Sequence, residues 1–207
     1  MVISARQASR IVQDVAGIGP QQSRRALSTG LAGRADRVGG TLLYDEEAVR
    51  ALAQWHSLDH DALLAACPGG VFVIRLGRGL EPAASASWSE RASSIARQPY
   101  LGFAAWVQVR ARLAGAGRLG CVVTVCGYPV LLADLVSFGA RDVGEVPIGL
   151  EPPGPWAGLL HQRRLVTSPG PAWLLLGGQP SLGRAGRSRV LGEPVNAGRS
   201  TTWSRWT

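Results

Sequence analysis

The sequence predicts an α+β chain in parts: a small N-terminal unit over residues 1–55, a helical connector over 56–68, a separate α+β domain over 69–178 and a flexible basic tail over 179–207. Three observations predict it. Apolar residues recur at helical spacing over the first residues and are interrupted by Gly17, Ile18, Gly19 and Pro20. Runs rich in β-branched residues begin only beyond Pro68-Gly69-Gly70. From Gln179 onward Gly, Ser and Arg dominate and no apolar period survives, the composition of a disordered segment.

The first helix begins after Ser4, with Ala5, Ala8, Ile11, Val12 and Val15 on one side and Arg6, Gln7, Arg10, Gln13 and Asp14 on the other. A second helix runs from about Pro20 to Thr29, because proline suits a first helical position, and Gly30 stops it. Asp36-Arg37-Val38, Gly39-Gly40 and Thr41 to Tyr44 read as a hairpin with a two-residue turn. Asp45 then caps a third helix whose apolar stripe is Ala48, Val49, Leu52 and Trp55.

This segment resembles the winged helix-turn-helix of excisionase-like and MerR-like DNA-binding proteins. The matching residues are ARQAS from Ala5 to Ser9, GIGPQQSRRALSTG from Gly17 to Gly30, and RVGGTLLYDEEAV from Arg37 to Val49, together about the first quarter of the chain. The resemblance implies that the second helix reads double-stranded DNA and the hairpin acts as a wing.

The residues support that expectation independently. The second helix carries Gln21, Gln22, Arg24, Arg25 and Ser28, leaving mainly Ala26 and Leu27 to pack inward. Glutamine can pair bidentately with adenine and arginine with guanine in the major groove, and arginine also neutralises phosphate. On the wing, Arg37 with the small tip residues Gly39, Gly40 and Thr41 can approach the backbone or the minor groove closely. Against this stands the ordinary reading in which such polar residues are a solvated helix face and the Gly-Gly pair a simple turn.

Composition bounds the alternatives. An apolar share of 46% over 207 residues is enough for a sizeable core and excludes a wholly disordered chain. All 22 basic residues are arginine and face 14 acids, a formal +8. With abundant Ala and Gly this fits a GC-rich coding sequence, so placement rather than number must argue for nucleic acid. Arg24, Arg25, Arg34 and Arg37 are set against Asp36 alone, and the tail holds five arginines and one acid. The apolar run Cys121–Val136 is interrupted and falls short of the roughly 20 residues of a membrane span. The first residues hold no continuous apolar block, so a soluble cytoplasmic protein is expected. Cys67, Cys121 and Cys126, odd in number and without CxxC spacing, are expected as free thiols.

In the second part, Val71 to Ile74 reads as a buried strand, Trp88 to Arg97 and Phe103 to Leu113 as helices, and Cys121–Val125 with Val130–Val136 as a buried hairpin around Gly127-Tyr128-Pro129. Arg164–Thr167 and Ala172–Leu176 read as two further strands, four to six in all, with Trp156 and His161 between the strand pairs on a short helix after the Pro152-Pro153-Gly154-Pro155 turn. His56 and His60 at i, i+4 with Cys67 have metal-like spacing, but a helix cap at Ser57 or Asp59 separates them and no fourth ligand is near, so no metal or cofactor is expected. No catalytic constellation stands out: an enzyme would need His161 gathered with Asp134, Asp142 or Glu145. Trp88, Trp106, Trp156 and Trp173 are expected in the core or at its rim.

The expectation is therefore a sequence-specific double-stranded DNA-binding protein, a transcription regulator or recombination accessory factor, which self-associates because one small module contacts few base pairs. The alternative is a protein-interaction adaptor that keeps the winged scaffold and docks a partner through residues 69–178.

Overall fold

The structure, a computed structural model, describes residues 1–96, 103–139, 147–168 and 170–177. Strand β1 (Val2–Ser4) leads directly into helix α1 (Ala5–Ala16). Ser4 caps it: its Oγ accepts the Gln7 N–H while the Gln7 side chain accepts the Ser4 N–H, satisfying amides that a helix start leaves without partners. Gly17, at φ 64, closes the helix and donates its N–H to the Gln13 carbonyl. Helix α2 (Pro20–Ser28) starts three residues later. Strands β2 (Asp36–Val38) and β3 (Thr41–Asp45) form the hairpin, with Gly39 and Gly40 both at the positive φ that a tight two-residue turn demands. Asp45 caps α3 (Glu46–Ala53) by accepting the Ala48 N–H. The order helix, turn, helix, hairpin, helix is as the sequence predicts. The addition is β1, which pairs with β3 to give the sheet order β1-β3-β2.

Ala8, Val12, Ala26, Leu27, Val49 and Leu52 form the core of this unit. One polar thread crosses it. Gln13 Nε2 donates to Ser9 Oγ, which lies 2.7 Å from Ser23 Oγ, and Ser23 Oγ donates to the Pro20 carbonyl. The Ser9–Ser23 contact is the step of this thread that passes between the helices, and it favours one roll of α2 against α1.

The rest of the chain runs β4 (His56–Ser57), α4 (His60–Ala66), β5 (Val71–Arg75), α5 (Trp88–Ala96), α6 (Phe103–Ala116), β6 (Leu119–Val125), β7 (Tyr128–Phe138), β8 (Ile148–Glu151), a 3-10 turn over Pro155–Leu160, β9 (Arg163–Arg164) and β10 (Trp173–Leu176). Five strands form one sheet in the order β10-β5-β6-β7-β8. Strands β5 and β6 are parallel, a pairing that needs a long crossover, and α5 and α6 lie between them in the chain. Phe72, Ile74, Cys121 and Val123 face the cluster containing Ile95 and Val109 of these helices. Val71, Val73 and Val122 face Leu63, Trp156 and Leu160 on the opposite side. Burial on both faces explains why β5 and β6 read as continuous apolar runs.

Two expectations for this region change. Residues Arg164–Thr167 are not a full strand: only Arg163 and Arg164 pair, with β4, while the Leu165 N–H donates to the Gly127 carbonyl and ties the segment to the β6–β7 turn. Strand β8 has no counterpart in the sequence reading. The tail from Gln179, Arg97, Asp142, Glu145 and Pro169 lie outside the described residues. Among the described residues no helix is long and apolar enough to cross a membrane.

Packing runs across the expected boundary at residue 55. Tyr128, at the β6–β7 turn and fully buried, belongs to the same core cluster as Val12 and Leu52, with its ring centroid 5.8 Å from that of Trp55. Arg164 lies over the Tyr128 ring and donates to the carbonyl of Ala16 at the end of α1.

Candidate functional site

Helix α2 has two contrasting sides. Ser23, Ala26 and Leu27 are buried, the latter two as the sequence suggests, while Gln21, Gln22, Arg24 and Ser28 are exposed. Gln22 accepts the Gly19 N–H through Oε1, which leaves its amide N–H groups outward. Ser28 donates to the Arg25 carbonyl within the helix and keeps its acceptor capacity free. On the hairpin, Arg37, Gly40 and Thr41 are exposed, and a side-chain carbon added at Gly39 or Gly40 would meet nothing within 4 Å. The tip is open enough for close approach by a ligand.

Arg25 has a different place. Its Nε donates to Glu81 Oε1 and its Nη2 to the carbonyl of Leu76, so the guanidinium joins α2 to the segment after β5. Glu81 also accepts the Gly79 N–H through its other oxygen. Desolvation works against the Glu81 carboxylate, but hydrogen bonds from Arg25 and the backbone, with the Arg25 charge, outweigh it and hold its pKa below the usual value. Sequence spacing brings Arg25 onto the same helix as Arg24; it does not reveal that Glu81 turns it aside.

The geometry adds two arginines that sequence reasoning missed. Arg6, with Ala5 and Arg24, lines a groove at the start of α1. Arg78, with Pro20, Gln21, Arg24, Ser28 and Gly79, lines a second groove along α2, and Arg24 belongs to both. Arg6, Arg24 and Arg78 are exposed, and none forms an ion pair among the described residues. Arg6 carried a faint signal in the sequence, since a cation in the first turn of a helix opposes the helix dipole. Arg78 had none, because only folding brings its loop beside α2.

The other candidate groups are dispersed. His56 lies in β4 and His60 opens α4 with Nε2 2.9 Å from the Val166 carbonyl, so the pair does not share a helix face. No group of three or more potential metal ligands occurs among the described residues. Burial first, then the charge of Asp134, pushes Cys121 up to about 12 and Cys67 to about 11, the direction opposite to an activated thiol. Asp134 itself is buried and accepts from Trp156 Nε1 and Arg118, whereas His161 is exposed.

No protein-family model, curated protein or solved structure matches this chain.

Proposed function

We propose that this chain is a sequence-specific double-stranded DNA-binding protein, a transcription regulator or recombination accessory factor, whose N-terminal unit acts as a winged helix-turn-helix. The observation that carries this reading is the outward set Gln21, Gln22, Arg24 and Ser28 on α2, flanked by Arg6 and Arg78, which form no ion pair among the described residues. In this reading α2 enters the major groove, where the carboxamides and the Arg24 guanidinium contact base edges. Arg37, Gly40 and Thr41 approach the adjacent backbone or minor groove. Arg25 holds the helix in place and reads no base.

Selection of bound duplexes from fragmented genomic DNA, followed by fluorescence anisotropy on the selected site, tests the proposal. The wild-type chain should select a recurrent motif and lose affinity steeply with salt. The double variant Gln21→Ala, Arg24→Ala should bind the motif at least tenfold more weakly, since each base contact is worth about 1–3 kcal/mol. No selected motif, or affinity unchanged in that variant, rejects the reading. A role as an interaction adaptor is favoured by one observation, the exposed Phe103 and Val107 on α6. A protein captured in stoichiometric amount with no selected DNA would support that role.

A further inference from the structure

The resemblance places the expected DNA contact in the first quarter of the chain, yet the groove along α2 has a second wall. That wall is the loop between β5 and α5, with Arg78 and Gly79 at its tip and Glu81 at its base. The first half of this loop, residues 76–81, is tied down at both ends by one side chain. Arg25 donates to the Leu76 carbonyl at the start of that stretch and to the Glu81 carboxylate at its close. Inside these ties the Leu80 N–H donates to the Gly77 carbonyl, Gly79 sits at φ 78, and Glu81 accepts the Gly79 N–H. The result is a closed turn that leaves the Arg78 side chain exposed beside Arg24. The acid in this groove, Glu81, is spent on Arg25 and on the turn, so the charge left facing outward is that of Arg24 and Arg78.

The geometry points to Arg78 as a phosphate-contacting residue for duplex DNA, presented alongside the reading helix by the Arg25–Glu81 pair. This rests on the function proposed above and extends it, because the sheet unit then supplies part of the DNA-binding surface. A groove with outward guanidinium groups on both walls suits the backbone of a strand lying next to an inserted helix, where phosphates fix register without reading sequence. Arg25 and Glu81 are positioning residues in this scheme, since they act through the turn that carries Arg78.

The experiment uses the full chain and anisotropy with the selected duplex and a scrambled duplex, from 50 to 300 mM salt. Arg78→Ala should weaken binding to both duplexes by the same factor, about eightfold near 0.1 M salt, and lower the salt slope by about one, the signature of one lost phosphate contact. Arg110→Ala, which removes an exposed arginine on α6, should change neither quantity. Glu81→Gln should weaken binding although it deletes a negative charge, because the turn is released; simple charge repulsion predicts the reverse. Wild-type affinity and slope in Arg78→Ala, an equal loss in Arg110→Ala, or tighter binding in Glu81→Gln overturns the assignment while leaving the function standing. A wild-type chain with no affinity for duplex DNA at 50 mM salt rejects both.

Discussion

Tyr128 offers a sharp test of how the two units are joined. It comes from the β6–β7 turn but is fully buried in the core of the N-terminal unit, against Trp55. Truncation to alanine removes an aromatic ring that buries roughly 150–250 Å² and leaves a cavity at the junction, a loss of about 3–5 kcal/mol. With a urea dependence of about 2 kcal/mol per molar, the unfolding midpoint should fall by about 2 M. The conservative variant separates packing from polarity. The Tyr128 hydroxyl is buried and has no partner within hydrogen-bond geometry among the described residues, while Arg164, over the ring, only partly offsets the upward push of burial on its pKa. Tyr128→Phe should therefore keep wild-type stability or exceed it by about 1 kcal/mol, because it deletes an unsatisfied buried group. Urea titrations followed by circular dichroism measure both variants. A loss below about 1 kcal/mol in Tyr128→Ala, or losses of similar size in the two variants, would refute the shared-core argument.

Other outcomes follow from particular contacts. Gly30 ends α2 at φ 78, and an added Cβ would lie 2.5 Å from Ala84 Cβ, so Gly30→Ala should cost at least about 2 kcal/mol in urea unfolding. Cys67 and Cys121 are pushed above the usual thiol value of 9.0, so above that pH the unfolded chain ionises while the native thiols stay protonated. Stability should accordingly fall as pH rises from about 9 toward 11, by up to about 1.4 kcal/mol per pH unit for each thiol, and Cys121→Ala should flatten the decline; a flat profile in the wild-type chain contradicts it. Asp134→Ala strands the Trp156 N–H and should cost about 2–3 kcal/mol, whereas Asp134→Asn keeps an acceptor and should cost less. Thermal melts of the two variants compare them directly.

Local chemistry made the N-terminal elements legible in the sequence. Pro20 opens α2, Gly39 and Gly40 take the positive φ of a two-residue turn, and Asp45 caps α3, each because its preference acts within a few residues. Strand β1 was not legible, since three residues are too few to show alternation. The outward side of α2 followed from helical spacing, but the commitment of Arg25 did not. Its partner, Glu81, lies 56 residues further along the chain, and no local pattern encodes a contact of that range. The same holds for Arg78. Its charge was visible in the sequence, while its place beside Arg24 depends on how the β5 loop meets α2. In the sheet, apolar runs located β5, β6 and β7, whereas the pairing of Arg163 with His56 and the tie from Leu165 to Gly127 are long-range backbone contacts.

The contact from Arg164 to the end of α1 spans 148 residues, and with Tyr128 it sets the order in which the molecule can be finished. A chain emerging from the ribosome N-terminus first has its opening helices exposed long before the residues that complete their packing are made. The N-terminal unit can reach its final form only late in synthesis, so in the proposed function duplex engagement waits until the sheet that supports it exists. A fragment stopped before residue 128 would carry an open apolar socket where the tyrosine belongs, with the adhesiveness that such a gap confers.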